Sequence, residues 1–311
     1  MAAEVDRSTG RAMSCPVDVV VVGRSAMTAG GALTRIASFE AAWSHFLPDS
    51  EIARLNAASG TTVGVSEPTR RLVTALVEAW YLTDGAFDPT LLLPLVELGY
   101  AASRDDATLR TSLPTHGAKR GRPDRVLVDP IRSTVQLPTG TVLDPGGLGK
   151  GLAADLVVEE LLASGASGAL VSIGGDLRVA GEPPDGDAWT IAVEAVPGDT
   201  SDHVRLTDGG VATSSSRLRS WQRDDRTHHH LLDPDTLAPT DGDTVAATVV
   251  AGSARWAEVL TKPAFVRGAR WAADLAERVD AGMCVVTEHG RRVTNAAWHR
   301  YAQPTEVGAS R

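Results

Sequence analysis

Residues 144–155 read DPGGLGKGLAAD, four glycines and one lysine leading into a run with helical spacing. Glycines let backbone approach a ligand, and the amides of a helix N-terminus attract anions, so the stretch can form an anion site. How it is read decides the fold. A Walker A loop needs glycine at position 144 and serine or threonine at 151; Asp144 and Gly151 stand there instead. GKGLAA (149–154) satisfies the relaxed G-x-G-x-x-A dinucleotide pattern. However, Pro145 falls where the first Rossmann strand should end, and no acidic residue closes a second strand at the expected spacing, although Asp176 is nearby. The remaining reading is a plain tight turn.

The flanking sequence favours hairpins over βαβ units. VDVVVVG (17–23) is a β-branched run closed by glycine and reads as a buried strand. Residues 29–46 and 68–84 carry apolar side chains at three- and four-residue spacing and predict amphipathic helices. Between them, Asp49 or Ser50 can cap a short helix. RVLVD (125–129) and STVQL (133–137) predict a hairpin, residues 150–163 a helix, and GALVSIGGDLRVAG (168–181) a strand broken at Gly174-Gly175. WTIAVEAV, HVRLTD, GVATSS and TVAATVVAG read as strands, 254–279 as helix interrupted at Pro263, and 282–297 as a last hairpin. Strands and helices mix without strict alternation, which predicts an α+β fold with mixed or antiparallel sheets and packed helices, not a Rossmann fold. One domain over 13–300 is expected, with a mobile polar loop at 103–124 and flexible ends at 1–12 and 301–311.

The net charge is −9 and the pI about 5.4, which argues against a nucleic-acid partner. No apolar run approaches membrane-spanning length, and the first residues carry no apolar leader or lipidation signal, so a cytoplasmic chain without a membrane span is expected. Cys15 and Cys284 form no CxxC; one disulfide is formally possible, but two buried or free thiols are expected.

Four further clusters resemble parts of one site. DGAFDPT (84–90) sets an aromatic in a turn, where it can press on a flat ring or simply belong to a loop. SIGGDLRVAG (172–181) places a glycine pair inside a strand, the usual sign of close backbone approach. HHHLLDPDT (228–236) holds three consecutive histidines. Neighbouring side chains on an extended segment face opposite ways, so the three do not readily bind one ion, and one of them suits acid–base work better. In WAEVLTKPAFVRG (256–268), Glu258, Thr261 and Lys262 share a helical face.

In order along the chain, AMSCPVDVVVVG, FLPDSEIARLN, TDGAFDPT, LDPGGLGKGLAADL, SIGGDLRVAG, VATSSS, HHHLLDPDTLAPT and AEVLTKPAFVRG resemble the FAD:protein FMN transferase family, the ApbE family, from about Met13 to about Asn295. The resemblance implies that the chain binds FAD, splits its pyrophosphate with Mg²⁺, attaches FMN through a phosphoester to a threonine of a target flavoprotein, and releases AMP. Some members hydrolyse FAD to FMN and AMP instead. By the same resemblance, His230 is the expected base. Met13, Phe46, Ala86, Phe87, Asp88, Asp144, Lys150, Gly174, Gly175, Asp176 and Ser214 fall on FAD-contacting positions. Lys150 is also expected to meet a phosphate, or to pair with Asp144 or Asp155.

The chain departs from the family pattern at the metal. That site usually joins a carbonyl of the glycine loop to D-x-x-x-T on the late helix. Gly147 fits the carbonyl and Glu258 the aspartate, but Lys262 stands where threonine is usual, with Thr261 one residue early. A protonated lysine cannot ligate Mg²⁺; its ammonium can instead fill the space of the metal charge and pair with Glu258 at i,i+4. The alternative reading is therefore an FAD-binding protein or weak FAD pyrophosphatase with a degraded metal site.

Overall fold

The computed structural model describes residues 4–303 apart from 59, 104–105, 112, 115–116, 194–201, 218–219 and 224–225. In chain order the elements are β1 (Val5–Ala12), β2 (Cys15–Val22), α1 (Ala29–Trp43), α2 (Glu51–Ala57), β3 (Thr62–Gly64), α3 (Glu67–Leu82), α4 (Leu92–Glu97), β4 (Leu127–Asp129) and β5 (Thr134–Gln136). Then come α5 (Gly149–Ala163), β6 (Gly168–Ile173), β7 (Asp176–Gly181), β8 (Trp189–Val193), β9 (Asp202–Leu206), β10 (Gly209–Ser215), β11 (Ser220–Arg223) and β12 (Arg226–His229). The chain continues through β13 (Thr244–Ala251), α6 (Ala254–Thr261), α7 (Pro263–Val266), α8 (Ala269–Arg278), β14 (Gly282–Thr287), β15 (Arg292–Thr294) and β16 (Ala302–Gln303).

Eight strands form the central sheet in the order β1-β2-β6-β7-β10-β13-β14-β15, and every neighbouring pair is antiparallel. The predicted α+β class holds, and the parallel sheet of a dinucleotide fold is absent from the described residues. Alternation along the strands divides their apolar side chains between two cores. Val17, Val19, Val21, Val171 and Ile173 pack with α1, α3 and α5 on one face. Val22, Val179, Val211 and Val250 meet Trp189, Val204, Leu206 and Trp298 on the other. There the three-stranded sheet β16-β9-β8 lies across them. β2 alternates buried and exposed positions over its first half, with Asp18 outside, and closes on an unbroken valine run at 19–22 where both faces are covered. The helix ends follow their capping residues: Ser50 accepts from Ala53 N–H at the start of α2, and Ser66 does the same for Thr69 N–H at α3.

Three expectations need correction. Residues 1–12 are not a flexible leader from Val5 on, because Val5–Ala12 pairs residue for residue with Cys15–Val22. β1 is the sheet's outer strand and mostly polar, so it lacks the apolar signature of a strand. Gly174-Gly175 does not interrupt one strand. It turns the chain back on itself, with both residues at positive φ and Ile173 opposite Asp176, so 168–181 is a hairpin. The expected flexible end at 301 begins with β16, paired to β9; residues 304–311 lie outside the described residues. Cys15 and Cys284 are buried and not bridged. No helix among the described residues is long and apolar enough to cross a membrane.

Candidate active site

The β1–β2 turn, the β6–β7 turn and the start of α5 converge at one end of the central sheet. Met13 and Ser14 turn the first hairpin with φ of 52° and 58°, a conformation that costs energy outside glycine. A side chain at Gly174 would collide with Cys15 and come to 4.0 Å from the Lys150 stem, so the second turn lies against both.

The glycine stretch is held from below. Asn56, the last residue of the FLPDSEIARLN motif, is buried and bonds both ways with Leu143: its Nδ2 donates to the Leu143 carbonyl at 2.9 Å, and the Leu143 amide donates to its Oδ1 at 2.8 Å. Asp144 Oδ1 accepts from Gly146 N–H at 2.8 Å. Phe87 is buried, and a side chain at Gly147 would meet its ring at 2.8 Å, so only glycine lets the loop lie on it. Gly151 lets α5 touch α6, where a side chain would sit 2.5 Å from the Ala254 carbonyl. The amides of Gly146, Leu148, Gly149 and Gly151 all have partners within the protein. The positive charge here therefore comes chiefly from lysines rather than from open amides.

Lys150 was expected to meet a phosphate or to pair with Asp144 or Asp155; the structure joins it to two other carboxylates. Its Nζ lies 2.8 Å from Asp176 Oδ2 and donates to Glu258 Oε1. The other Glu258 oxygen accepts from Gly151 N–H at 2.8 Å. Lys262 Nζ donates to the Glu258 carbonyl at 2.9 Å and is 4.0 Å from Oε1. Thr261 Oγ1 donates to the same carbonyl at 2.7 Å and lies 2.7 Å from Ser214 Oγ. Asp176 Oδ1 accepts from Thr213 N–H at 3.3 Å. Glu258 is 1% exposed. Burial resists its ionisation, but the Lys150 and Lys262 charges and two hydrogen bonds outweigh that and hold its carboxyl below the usual range. Burial pushes Asp176 up, with Lys150 opposing.

Asp155, one α5 turn beyond Gly151, accepts from Ala254 N–H at 2.8 Å and Arg255 N–H at 3.1 Å. It caps α6 from a neighbouring helix and thereby sets where Glu258 and Lys262 stand. Burial lifts its pKa to about 6 against these two hydrogen bonds.

A second group of residues is aromatic. The His45 and Phe46 rings lie 3.9 Å apart, Phe46 meets Tyr100 edge-on at 5.9 Å, and Trp221 continues the row at 5.8 Å from Tyr100 and 6.3 Å from His228. Burial lowers the His45 pKa, with the Asp144 charge opposing. His229 Nε2 lies 3.0 Å from the Thr240 carbonyl and its Nδ1 accepts from Leu231 N–H, so hydrogen bonding assigns a neutral ring; burial lowers its pKa accordingly. His230 follows β12, half-buried, and no group of three or more metal-ligating side chains forms among the described residues.

Asp88 has a fully buried side chain that accepts from Thr90 N–H and Oγ1 and takes an ion pair from Arg120 at 2.8 Å. It supports the 84–90 turn rather than presenting an open oxygen. Arg120 also reaches Asp235 at 3.1 Å, which in turn holds Arg267 at 2.9 Å, so one arginine of the polar stretch ties the DGAFDPT turn to the segment after the histidines. Sequence reasoning passed over Asn56 and Arg120, and named Asp155 as a partner for Lys150 rather than as the cap of α6. The buried N of RLN and the D closing GLAAD were present in the motifs, but their partners lie 87 and about 100 residues away.

The residues do not fit a resident Mg²⁺. A hard divalent ion needs open oxygen ligands. Both Glu258 carboxylate oxygens have donors, its carbonyl accepts from Lys262 and Thr261, and the Lys262 Cε would lie 3.4 Å from a side chain at Gly147, across the loop position expected to supply a carbonyl. A divalent ion there would face two ammonium groups.

Against known proteins, a family model described as the ApbE family matches residues 13–286. The FAD:protein FMN transferase of Salmonella typhimurium is 28% identical over 296 residues, covering 90% of this chain and 84% of its own length. That of Klebsiella pneumoniae is 27% identical over 270 residues, covering 84% and 82%. Among solved structures, the ApbE protein of Thermotoga maritima matches with TM-score 0.82 and 26% identity over 96% of this chain and all of its own. The apo flavinyl transferase ApbE of Pseudomonas stutzeri matches with TM-score 0.79 and 27% identity over 96% and 97%. With the motifs in order, the antiparallel fold that gathers them and a family match over most of its length, this chain belongs to the ApbE family.

Proposed function

We propose that this protein is an FAD:protein FMN transferase. The observation that carries the reading is the Lys150–Glu258–Asp176–Lys262 cluster at the mouth of the glycine loop, in a chain whose relatives bear that activity by name. FAD would lie along the loop, its diphosphate toward the lysines and its isoalloxazine toward Phe46. The acceptor threonine oxygen attacks the phosphorus on the flavin side. The bond from that phosphorus to the bridging oxygen breaks, AMP leaves carrying that oxygen, and the threonine proton passes to a base, for which His230 is our assignment. The products are a threonine–FMN phosphoester, AMP and one proton; the flavin's redox state is unchanged. Negative charge grows on the bridging oxygen as the bond breaks, and fixed ammonium groups in a half-buried site stabilise it more than water can.

Incubation of the purified protein with FAD and a threonine-bearing flavinylation peptide should yield covalent FMN on the peptide and free AMP, with transfer lost in His230→Ala. The second reading, FAD binding or slow hydrolysis to FMN and AMP, draws on the full engagement of Glu258, which leaves no open oxygen for a metal. FAD retained without peptide labelling would establish that reading in its place.

A further inference from the structure

We infer that Lys262 takes the place of the divalent cation, so that the diphosphate of FAD is bound by a cation built into the chain and the protein works without Mg²⁺. The inference rests on the transferase reading for its substrate but not for its test.

Two observations support it. The Lys262 side chain runs past Gly147 and places its ammonium on the Glu258 carbonyl, with the carboxylate at 4.0 Å. A metal site would need those oxygens open; here the carbonyl accepts from Lys262 and Thr261, and the carboxylate from Lys150 and Gly151 N–H. Charge also balances without an ion, since the Lys150 and Lys262 ammonium groups stand against the Asp176 and Glu258 carboxylates. Adding two positive charges would break that balance in a buried setting, where like charges repel strongly.

An ammonium differs from Mg²⁺ in consequence. It carries one charge rather than two, donates hydrogen bonds to phosphate oxygens, and needs no free ion in solution. The protein should then be indifferent to chelators.

The test uses the full-length protein. FAD affinity is measured by flavin fluorescence in EDTA and in Mg²⁺, Mn²⁺ uptake by electron paramagnetic resonance, and AMP release under both conditions with the threonine-bearing acceptor peptide present. Wild type should bind FAD equally in EDTA and Mg²⁺ and take up no stoichiometric Mn²⁺. Lys262→Met should weaken FAD binding roughly tenfold, the scale of one charge-assisted hydrogen bond. Lys262→Thr should acquire one Mn²⁺ per chain and become sensitive to EDTA. Stoichiometric Mn²⁺ in wild type, with FAD binding or turnover lost in EDTA, overturns the inference, as does unchanged FAD affinity in a folded Lys262→Met. Chelator-independent FAD binding that depends on Lys262, with no AMP release under either condition, upholds the built-in cation and overturns the transferase reading instead.

Discussion

Lys150 joins two buried carboxylates that arrive from β7 and α6, and its loss would strand both. Removing one partner of a buried ion pair costs about 3–5 kcal/mol, because the remaining charge has no compensation. Lys150→Met should therefore lower stability by about that much in urea denaturation, with part recovered when Glu258→Gln is added. Asn56 acts on the loop from the other side. Its side chain pairs both the amide and the carbonyl of Leu143, so Asn56→Ala takes a partner from two buried backbone groups at about 1–3 kcal/mol each. FAD affinity should fall with it while far-ultraviolet circular dichroism stays that of the wild type. Glu258, Lys262, Asp176 and Lys150 were each singled out by motif. The Lys262–Glu258 pair follows from i,i+4 spacing, but the pairing of Lys150 with Glu258 does not, because side-chain spacing along the chain says nothing of a partner 108 residues away.

At the scale of elements, α5 and α6 form the hinge of the site. Gly151 lets them touch and Asp155 caps one with the other. Gly151→Ala should force the helices apart and cost about 1–3 kcal/mol, read as a lower Tm together with weaker FAD binding. Asp155 also makes a pH prediction. Its folded pKa of about 6 exceeds the unfolded 3.8, so the folded state holds the proton more tightly. The resulting stabilisation is fully present below 3.8 and is lost as pH rises through about 6. That amounts to about 3 kcal/mol across the window. Denaturation curves collected across it should show the decline in wild type and a flatter profile in Asp155→Asn, which has no proton to lose. The long helices and interior strands were legible from periodicity because one packed face leaves a repeating stripe, whereas the six-residue α4 is too short to show one. The β1 edge was not, since an outer strand of mostly polar residues is fixed by backbone pairing with β2 rather than by side-chain pattern.

Across the molecule, the central sheet is buried on both faces, by helices on one and by the β16-β9-β8 sheet with Trp189 and Trp298 on the other. Trp189→Ala should cost about 3–5 kcal/mol, measured by chemical denaturation, although it lies in the layer opposite the helices that carry the lysine cluster. FAD affinity at temperatures where the variant remains folded should be close to wild type, because Trp189 packs with the second core and the lysine cluster is built from β7, α5 and α6.

The sequence by itself determined the α+β class, the order of the motifs, a cap for α2 at Asp49 or Ser50 and the departure at Lys262, because each is written in residue type and local spacing. Only the tertiary structure decided what those residues do to one another. It turned Gly174-Gly175 into a hairpin, buried Asp88 and Phe87 as supports, spent the loop's amides on internal partners and set two lysines on one glutamate. Hydrogen bonds and ion pairs act over a few ångströms, and which groups come that close is set by how the sheet and helices pack, not by their distance along the chain.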